Sequence, residues 1–420
     1  MDVPVVPLDD DRDTSAVATA HVDLEDVDLF ARGEHHAVLA WLRRHRPVYA
    51  HPARDGGSFW VLTRYEDVLS AYRDHTVFSS ECGAMLGGSF RSVRDSAAGR
   101  MLVASDLPRH RMLRQVFQPM FAPAMLDAVG RQITHLVDEA VRVMLEDGGT
   151  DFATTIATEL PAGALMAMMN VGHAEAHEIV GLTRRMIGFR DPTYVDTTGD
   201  VRLRLASLQN DIFDFFADLV RSRRRNPGED AVSMLIRARV NGRPLPESEI
   251  LYNCMNLAVG GNETSSYSAC SGLLALIENP TAYDALLARP ALMGGAVEEI
   301  LRWSSVNAYV QRSALRDVEI GGQLIREGDA VTLWSVSANR DEAQFPQADR
   351  FIIDRSPNRH VSFGSGIHRC VGATVATVEL TAAFSALVSR GVRLSLAGPV
   401  RRLRSNFILG TTSLPVRVVG

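Results

Sequence analysis

The stretch Phe363-Gly364-Ser365-Gly366-Ile367-His368-Arg369-Cys370-Val371-Gly372-Ala373 decides how the rest of the chain is read. A cysteine taken alone is most often a small buried hydrophobe. Here its surroundings ask for more. Gly364 and Gly366 permit a tight loop, and Gly372 lets a flat ligand pass close to the backbone. Cys370 stands just before a helix expected over roughly 371–389, whose N-terminal dipole and free N–H groups stabilise a thiolate. Phe363 can cover the sulfur and restrict water.

Nothing else in the cysteine inventory competes with this reading. Cys82, Cys254 and Cys270 are scattered through 420 residues, with no CxxC pair and no zinc spacing. They are too few for a disulfide framework, which points to a reducing, cytoplasmic setting. The N-terminus MDVPVVPLDDDRD is acidic and lacks a signal-peptide core. No uninterrupted apolar run reaches the roughly 18 residues of a membrane span, so no membrane is expected. A net charge of −6 gives no reason to expect nucleic acid as a partner. All 44 basic residues are arginine, so every cationic side chain is a permanently charged fork suited to carboxylates.

Upstream, Glu247 to Asn279 lies between Pro246 and Pro280. As one helix it would be about 50 Å long. Its flanks are apolar, and its middle reads Gly260-Gly261-Asn262-Glu263-Thr264-Ser265. Adjacent glycines cost about 1 kcal/mol each in a helix. They mark either a break between two helices, a tight packing contact, or a flat group approaching the backbone with an acid and a hydroxyl beside it.

The remaining texture is mainly helical with small sheets at both ends, an α+β arrangement. Residues 47–50 and 58–62 read as strands joined at Gly56-Gly57, followed by a Gly- and Ser-rich loop over 79–96. From 109 to about 300 the pattern is helical, clearest in Ile133–Leu145 and Leu208–Val220, with a tight turn at Asn241-Gly242. Short strands return at 318–320 and 330–334 and after the last helix. No repeat or linker divides the chain. One domain over 1–420 is expected, with 1–22 as a loose leader.

FGSGIHRCVG is similar to the haem-binding loop FxxGxxxCxG of the cytochrome P-450 superfamily. Further resemblances follow in order. Glu299-Ile300-Leu301-Arg302 resembles the family's ExxR helix, and the resemblance implies Arg350, in Asp349-Arg350-Phe351, as the third member of that structural support. His110 and Arg114 resemble an early HxxxR pair. Gly261-Asn262-Glu263-Thr264 resembles the oxygen-activating Gly-x-Glu/Asp-Thr signature.

The resemblance implies a triangular fold with a long central helix over the haem and the thiolate loop before a late helix. It implies haem b (iron protoporphyrin IX) with Cys370 on the iron. His110, Arg114, Arg312 and His368 would hold the propionates, and Gly261, Phe363 and Gly372 would contact the cofactor; His360 fits a frequent family pattern too. Thr264 and Glu263 would be catalytic, relaying protons while O2 is activated. Electrons would come from NAD(P)H through ferredoxin reductase and a ferredoxin partner. By family position the substrate wall would include Met85, Leu86, Met101, Leu102, Phe189, Leu257, Ala258, Asn307, Tyr309 and Ile408.

Two departures stand out: Ser305 where the family usually has proline, and Thr377 where an arginine often precedes Glu379 by two residues. The implied activity is hydroxylation or epoxidation of a small organic molecule, in bacterial secondary-metabolite (polyketide, peptide or alkaloid) tailoring. Oxidative C–C or C–N coupling of aromatic or cyclic-peptide substrates is a second reading. A haem-based ligand binder or sensor without turnover is a third.

Overall fold

The long segment folds as a single helix, Glu247–Glu278, 32 residues without interruption, so the glycines do not break it. Pro246 starts it in an extended conformation, Glu247 and Glu249 occupy the positive first turn, and Pro280 opens the next helix. Most of its residues from Ile250 to Leu276 are buried. A helix buried on most of its sides, apolar along its flanks, belongs in the middle of a large core, and packing there offsets the cost of the glycines. The computed structural model describes residues 22–54, 56–85 and 95–419. Leu86, and all but the last residue of the expected leader, lie outside them.

Small residues set how closely the other helices approach. Pro123–Asp147 presents Val129, Ile133, Val137 and Val141 as an i, i+4 stripe. Gly163, in Glu159–Met169, lies against it; a Cβ there would stand 2.8 Å from the Ile133 side chain. Gly272 of the long helix meets Ile300 in the same way, also at 2.8 Å. That contact seats the helix Met293–Ser304, which carries Glu299 and Arg302, directly on the long helix.

The main sheet orders Val48–Pro52, Ser58–Leu62, Ala330–Leu333, Val310–Ala314 and Phe78–Ser79. Ser58–Leu62 and Ala330–Leu333 run parallel, and the other neighbours are antiparallel. A second sheet joins Arg393–Leu396, Pro415–Val419 and Gly149–Asp151. Asn241-Gly242, both at positive φ, turns a two-residue hairpin as expected. The helices Val27–Ala31, His35–His45 and Tyr65–Arg73 were not expected from the sequence. They are short, and each buries a few apolar residues (Phe30; Leu39 and Leu42; Val68, Ala71 and Tyr72) against the sheet side of the fold. Among the described residues one stretch, Phe152–Met169, is long and apolar enough to cross a membrane by composition, and 67% of it is buried within the protein.

Candidate active site

One interior cavity of about 580 Å³ collects most of the chemistry-bearing residues. Cys370 lies on its wall, and the exposure of the cysteine is to this cavity. The loop before it is fixed by backbone bonds: Gly364 N–H donates to Val361 O at 2.9 Å, and Cys370 N–H donates to Phe363 O at 2.9 Å. Gly364 and Gly366 both take positive φ, +63° and +67°. At Gly366 a side chain is excluded twice, because a Cβ would also stand 2.5 Å from the Tyr72 carbonyl oxygen. The helix Tyr65–Arg73 is therefore the platform for the cysteine loop. Gly372 is less constrained; a Cβ there would meet Phe121 at 3.7 Å and the Cys370 sulfur at 4.0 Å.

Across the cavity, Gly260 and Gly261 face open space, with nothing within 4 Å of a Cβ built on either. Thr264 lines the wall and its hydroxyl donates to Gly260 O at 3.0 Å, a back-bond of the kind helical Thr makes to the i−4 carbonyl. Glu263 points elsewhere. It is buried, and its carboxylate accepts from Thr183 Oγ1 and Arg184 Nε, each at 3.3 Å. Burial pushes its carboxyl above the usual range, and Arg184 and Tyr267 draw it back only in part. Arg184 and Thr183, on the helix His173–Ile187, were missed by the sequence reading because nothing in local spacing ties them to a residue eighty positions away. Glu379 also reaches the cavity wall, where burial lifts its carboxyl to about 8 against the Ser265 hydroxyl.

His110, Arg114, Arg312 and His368 converge on a third side of the same cavity. The His110 and His368 ring centroids are 4.2 Å apart. Arg114 Nη1 donates to Ile367 O at 3.3 Å, and Ser80 Oγ lies 3.0 Å from His368 Nε2. His110 Nε2 is buried without a partner. Among the described residues none of the four makes an ion pair. Burial, then mutual repulsion among these groups, pushes His110 down to about 4 and His368 down to about 2, and burial lowers Arg312 as well. Such a set is costly unless anions meet it. A thiol, a glycine-floored slot, two arginines without an anionic partner and two neutral imidazoles beside them are the donor set that a haem with two propionates requires, so the residues fit that group.

The support for the cysteine loop corrects one expectation. Glu299 and Arg302 are fully buried and bidentate, at 2.8 Å on both arms. The third guanidinium is Arg355, whose Nε donates to Glu299 at 3.0 Å. Arg350 contributes only its carbonyl oxygen, to Arg302 and Arg355 at 3.0 Å each, while its side chain is exposed and reaches Gln347. Two arginines five residues apart on one loop look alike in sequence; only burial separates them. Ile352 N–H and Asn358 complete the carboxylate's shell. His360 pairs with Glu298 at 3.2 Å instead of facing the cavity.

Of the expected substrate wall, Met85, Met101, Leu102, Phe189, Leu257, Asn307 and Ile408 line the cavity. Ala258 and Tyr309 do not. Ala258 is buried in the helical core, and Tyr309 packs against Trp334 with centroids 4.7 Å apart. Asn307 and Val310 line the cavity while Tyr309 turns away, a pattern that strict strand alternation would not give; the regular strand begins only at Val310. Polar wall residues not expected from the sequence include Arg190, Gln209, Asn256 and Asn406. Ser305 adopts φ +38°, which a proline ring cannot reach, and its hydroxyl donates to Arg302 O at 2.7 Å. Val306 nonetheless lines the cavity.

Comparisons with known proteins agree with this geometry. The family model described as Cytochrome P450 matches residues 53–288 and 291–391. Linalool 8-monooxygenase of Pseudomonas putida is 33% identical over 94% of this chain and 98% of its own. Among solved structures, Mycobacterium marinum cytochrome P450 CYP268A2 in complex with pseudoionone superposes with a TM-score of 0.86 at 30% identity, covering 95% of this chain and 98% of that one. P450 OxyD, described as involved in the biosynthesis of vancomycin-type antibiotics, gives a TM-score of 0.85 at 30% identity, covering 95% and 100%. The chain is a member of the cytochrome P450 family, a haem oxidoreductase related to known monooxygenases.

Proposed function

We propose that this chain hydroxylates or epoxidises a small, mainly apolar organic molecule in bacterial secondary-metabolite tailoring, drawing electrons from NAD(P)H through a ferredoxin reductase and a ferredoxin. The observation that carries the reading is a single cavity bounded by Cys370, by Arg114 and Arg312 with His110 and His368 beside them, and by Thr264 above the Gly260-Gly261 floor. A haem bound through Cys370 would supply oxygen activation, with the thiolate favouring O–O cleavage.

The chain's own residues do the rest. Arg114 and Arg312 would hold the propionates by charge-assisted hydrogen bonds, with His110 and His368 as hydrogen-bonding neighbours. Thr264 keeps its hydroxyl at the cavity wall, where it can pass a proton inward. Glu263 is poised to resupply that proton when it leaves Arg184; burial, which raises its carboxyl, favours the protonated form needed for the transfer. Met101, Leu102, Leu257 and Ile408 exclude water and present apolar surface to the substrate, and Asn307 offers a polar handle. The relatives support a substrate of this class: one is a linalool monooxygenase and another serves antibiotic biosynthesis.

The test is a carbon monoxide difference spectrum of the reduced, haem-loaded protein, repeated with Cys370→Ala, followed by turnover with ferredoxin, reductase and NAD(P)H on a metabolite library. The thiolate band should vanish in the variant, and the product should gain one oxygen atom. A band unchanged in Cys370→Ala refutes the ligand assignment. A product that has lost hydrogen without gaining oxygen replaces hydroxylation with coupling. Haem binding without substrate-dependent product would leave a ligand binder.

A further inference from the structure

On the outer surface, remote from the cysteine loop in sequence, Glu159, His173 and His177 bring three ligand atoms together. His173 Nε2 and His177 Nε2 lie 2.9 Å from separate oxygens of Glu159 and 3.1 Å from each other. The two histidines are i, i+4 on the helix His173–Ile187, so they share one face. Glu159 is the first residue of the preceding helix, Glu159–Met169, and a turn through Asn170 joins the two. Burial pushes the Glu159 carboxyl up, but hydrogen bonds from both imidazoles outweigh it and hold it below its ordinary value.

Hydrogen bonds alone cannot satisfy this triangle when the imidazoles are neutral. Each Nε2 carries either one proton or one lone pair, and the carboxylate has no proton to give. If both nitrogens donate to Glu159, their N–H groups face each other across 3.1 Å. If one accepts from the other, its lone pair faces a carboxylate oxygen at 2.9 Å. Two contacts can be bonds; the third is repulsive. A cation at the centre makes all three favourable. With ligand distances of about 2.0–2.1 Å, corners of a coordination shell stand about 2.9 Å apart in an octahedron and about 3.3 Å in a tetrahedron. The three measured edges lie within or at the edge of that range without rearrangement.

We propose that Glu159, His173 and His177 form a surface site for a divalent first-row transition metal, zinc foremost, with open positions left to water. Two imidazoles and one carboxylate suit borderline metals such as zinc, copper, nickel or ferrous iron rather than calcium or magnesium, which prefer all-oxygen shells. The bound ion ties the start of His173–Ile187 to the preceding helix. The same helix carries Thr183 and Arg184, the partners of Glu263, so the metal braces the element that holds the buried acid.

The test uses the haem-loaded full chain stripped with chelator and titrated with zinc by calorimetry. Wild type should bind one zinc tightly, its Tm should rise with zinc, and zinc-edge X-ray absorption should report two imidazoles and an oxygen at about 2.0–2.1 Å. His177→Ala and His173→Ala should each weaken that binding by at least about tenfold, the scale on which even a supporting contact of a ligand matters, and should lose the zinc-dependent rise in Tm. Their metal-free Tm and carbon monoxide spectra report whether they fold normally. Absence of tight zinc binding to wild type overturns the proposal. So does binding that is unchanged in both variants, which would place the ion on other surface groups.

Discussion

Replacing Arg355 by alanine should destabilise the protein by about 3 kcal/mol, whereas the same change at Arg350 should cost about 0.5 kcal/mol or less. Breaking one side of a buried ion pair typically costs about 3–5 kcal/mol. Glu299 would still keep Arg302, Ile352 N–H and Asn358, so the carboxylate would not be left bare, which lowers the figure. Arg355 also donates to the carbonyls of Pro346, Gln347 and Arg350. Those losses, at about 1 kcal/mol each before water replaces some of them, raise it again. An unfolding entropy near 2.1 cal/mol/K per residue comes to about 0.9 kcal/mol/K for a chain this long, so Tm should fall by about 3 °C. Arg350→Ala removes only an exposed 3.4 Å contact to Gln347, and its Tm should move by less than about 1 °C. Arg355→Lys keeps the charge but loses the planar fork and should fall between them. The assay is thermal unfolding of haem-loaded protein by circular dichroism, with haem content measured alongside. Equal shifts for Arg350→Ala and Arg355→Ala, or a larger one for Arg350→Ala, would refute the assignment.

Three further outcomes are expected. Gly366→Ala meets both a left-handed backbone and the Tyr72 carbonyl, so haem incorporation should collapse, while Gly372→Ala, which meets only ordinary contacts within the protein, should remain folded; comparable folded yields would contradict this. Ser305→Pro would restore the family's usual residue yet should lower stability by roughly 2 kcal/mol or more, because φ is +38° and the hydroxyl bond to Arg302 O is lost; a neutral or stabilising result in chemical denaturation would count against that backbone. His35 is buried, with neither ring nitrogen partnered, and burial, then Arg340 and Arg402, push it down to about 3. The unfolded chain takes up this proton below about pH 6.5, so stability should be lost as pH falls from there toward 3, by at most about 1.4 kcal/mol per pH unit. His35→Phe should make that acid limb shallower in denaturation curves, the neighbouring buried His36 still contributing to it, and an unchanged slope would show that His35 is not one of its sources.

Much of the site was legible because its chemistry is local. Residues 363–373 form one loop, Gly260 to Thr264 occupy one turn of one helix, and His110 and Arg114 share one helix face; in each case a short spacing fixes which groups stand together. Glu299 and Arg302 stood out only through the family resemblance, because an i, i+3 ion pair by itself is as common on a solvated helix. Spacing failed wherever two chemically identical residues compete or where a partner comes from afar. Arg350 and Arg355 differ in burial, not in type. Arg184 reaches Glu263 from another helix, and Tyr309 turned into the core because Trp334 and Phe407 were there to receive it.

The sequence by itself determined the loop that presents the Cys370 thiol, the glycines that leave room beside it, the adjacent Glu263-Thr264 pair and the mainly helical class, since all are encoded within a few consecutive positions. The tertiary structure alone decided that the glycine-bearing helix runs unbroken, that Tyr65–Arg73 forms the platform under Gly366, and which side chains face the cavity. Those outcomes depend on burial and close approach between segments distant in the chain. Burial is a property of the packed whole, and no local pattern carries it.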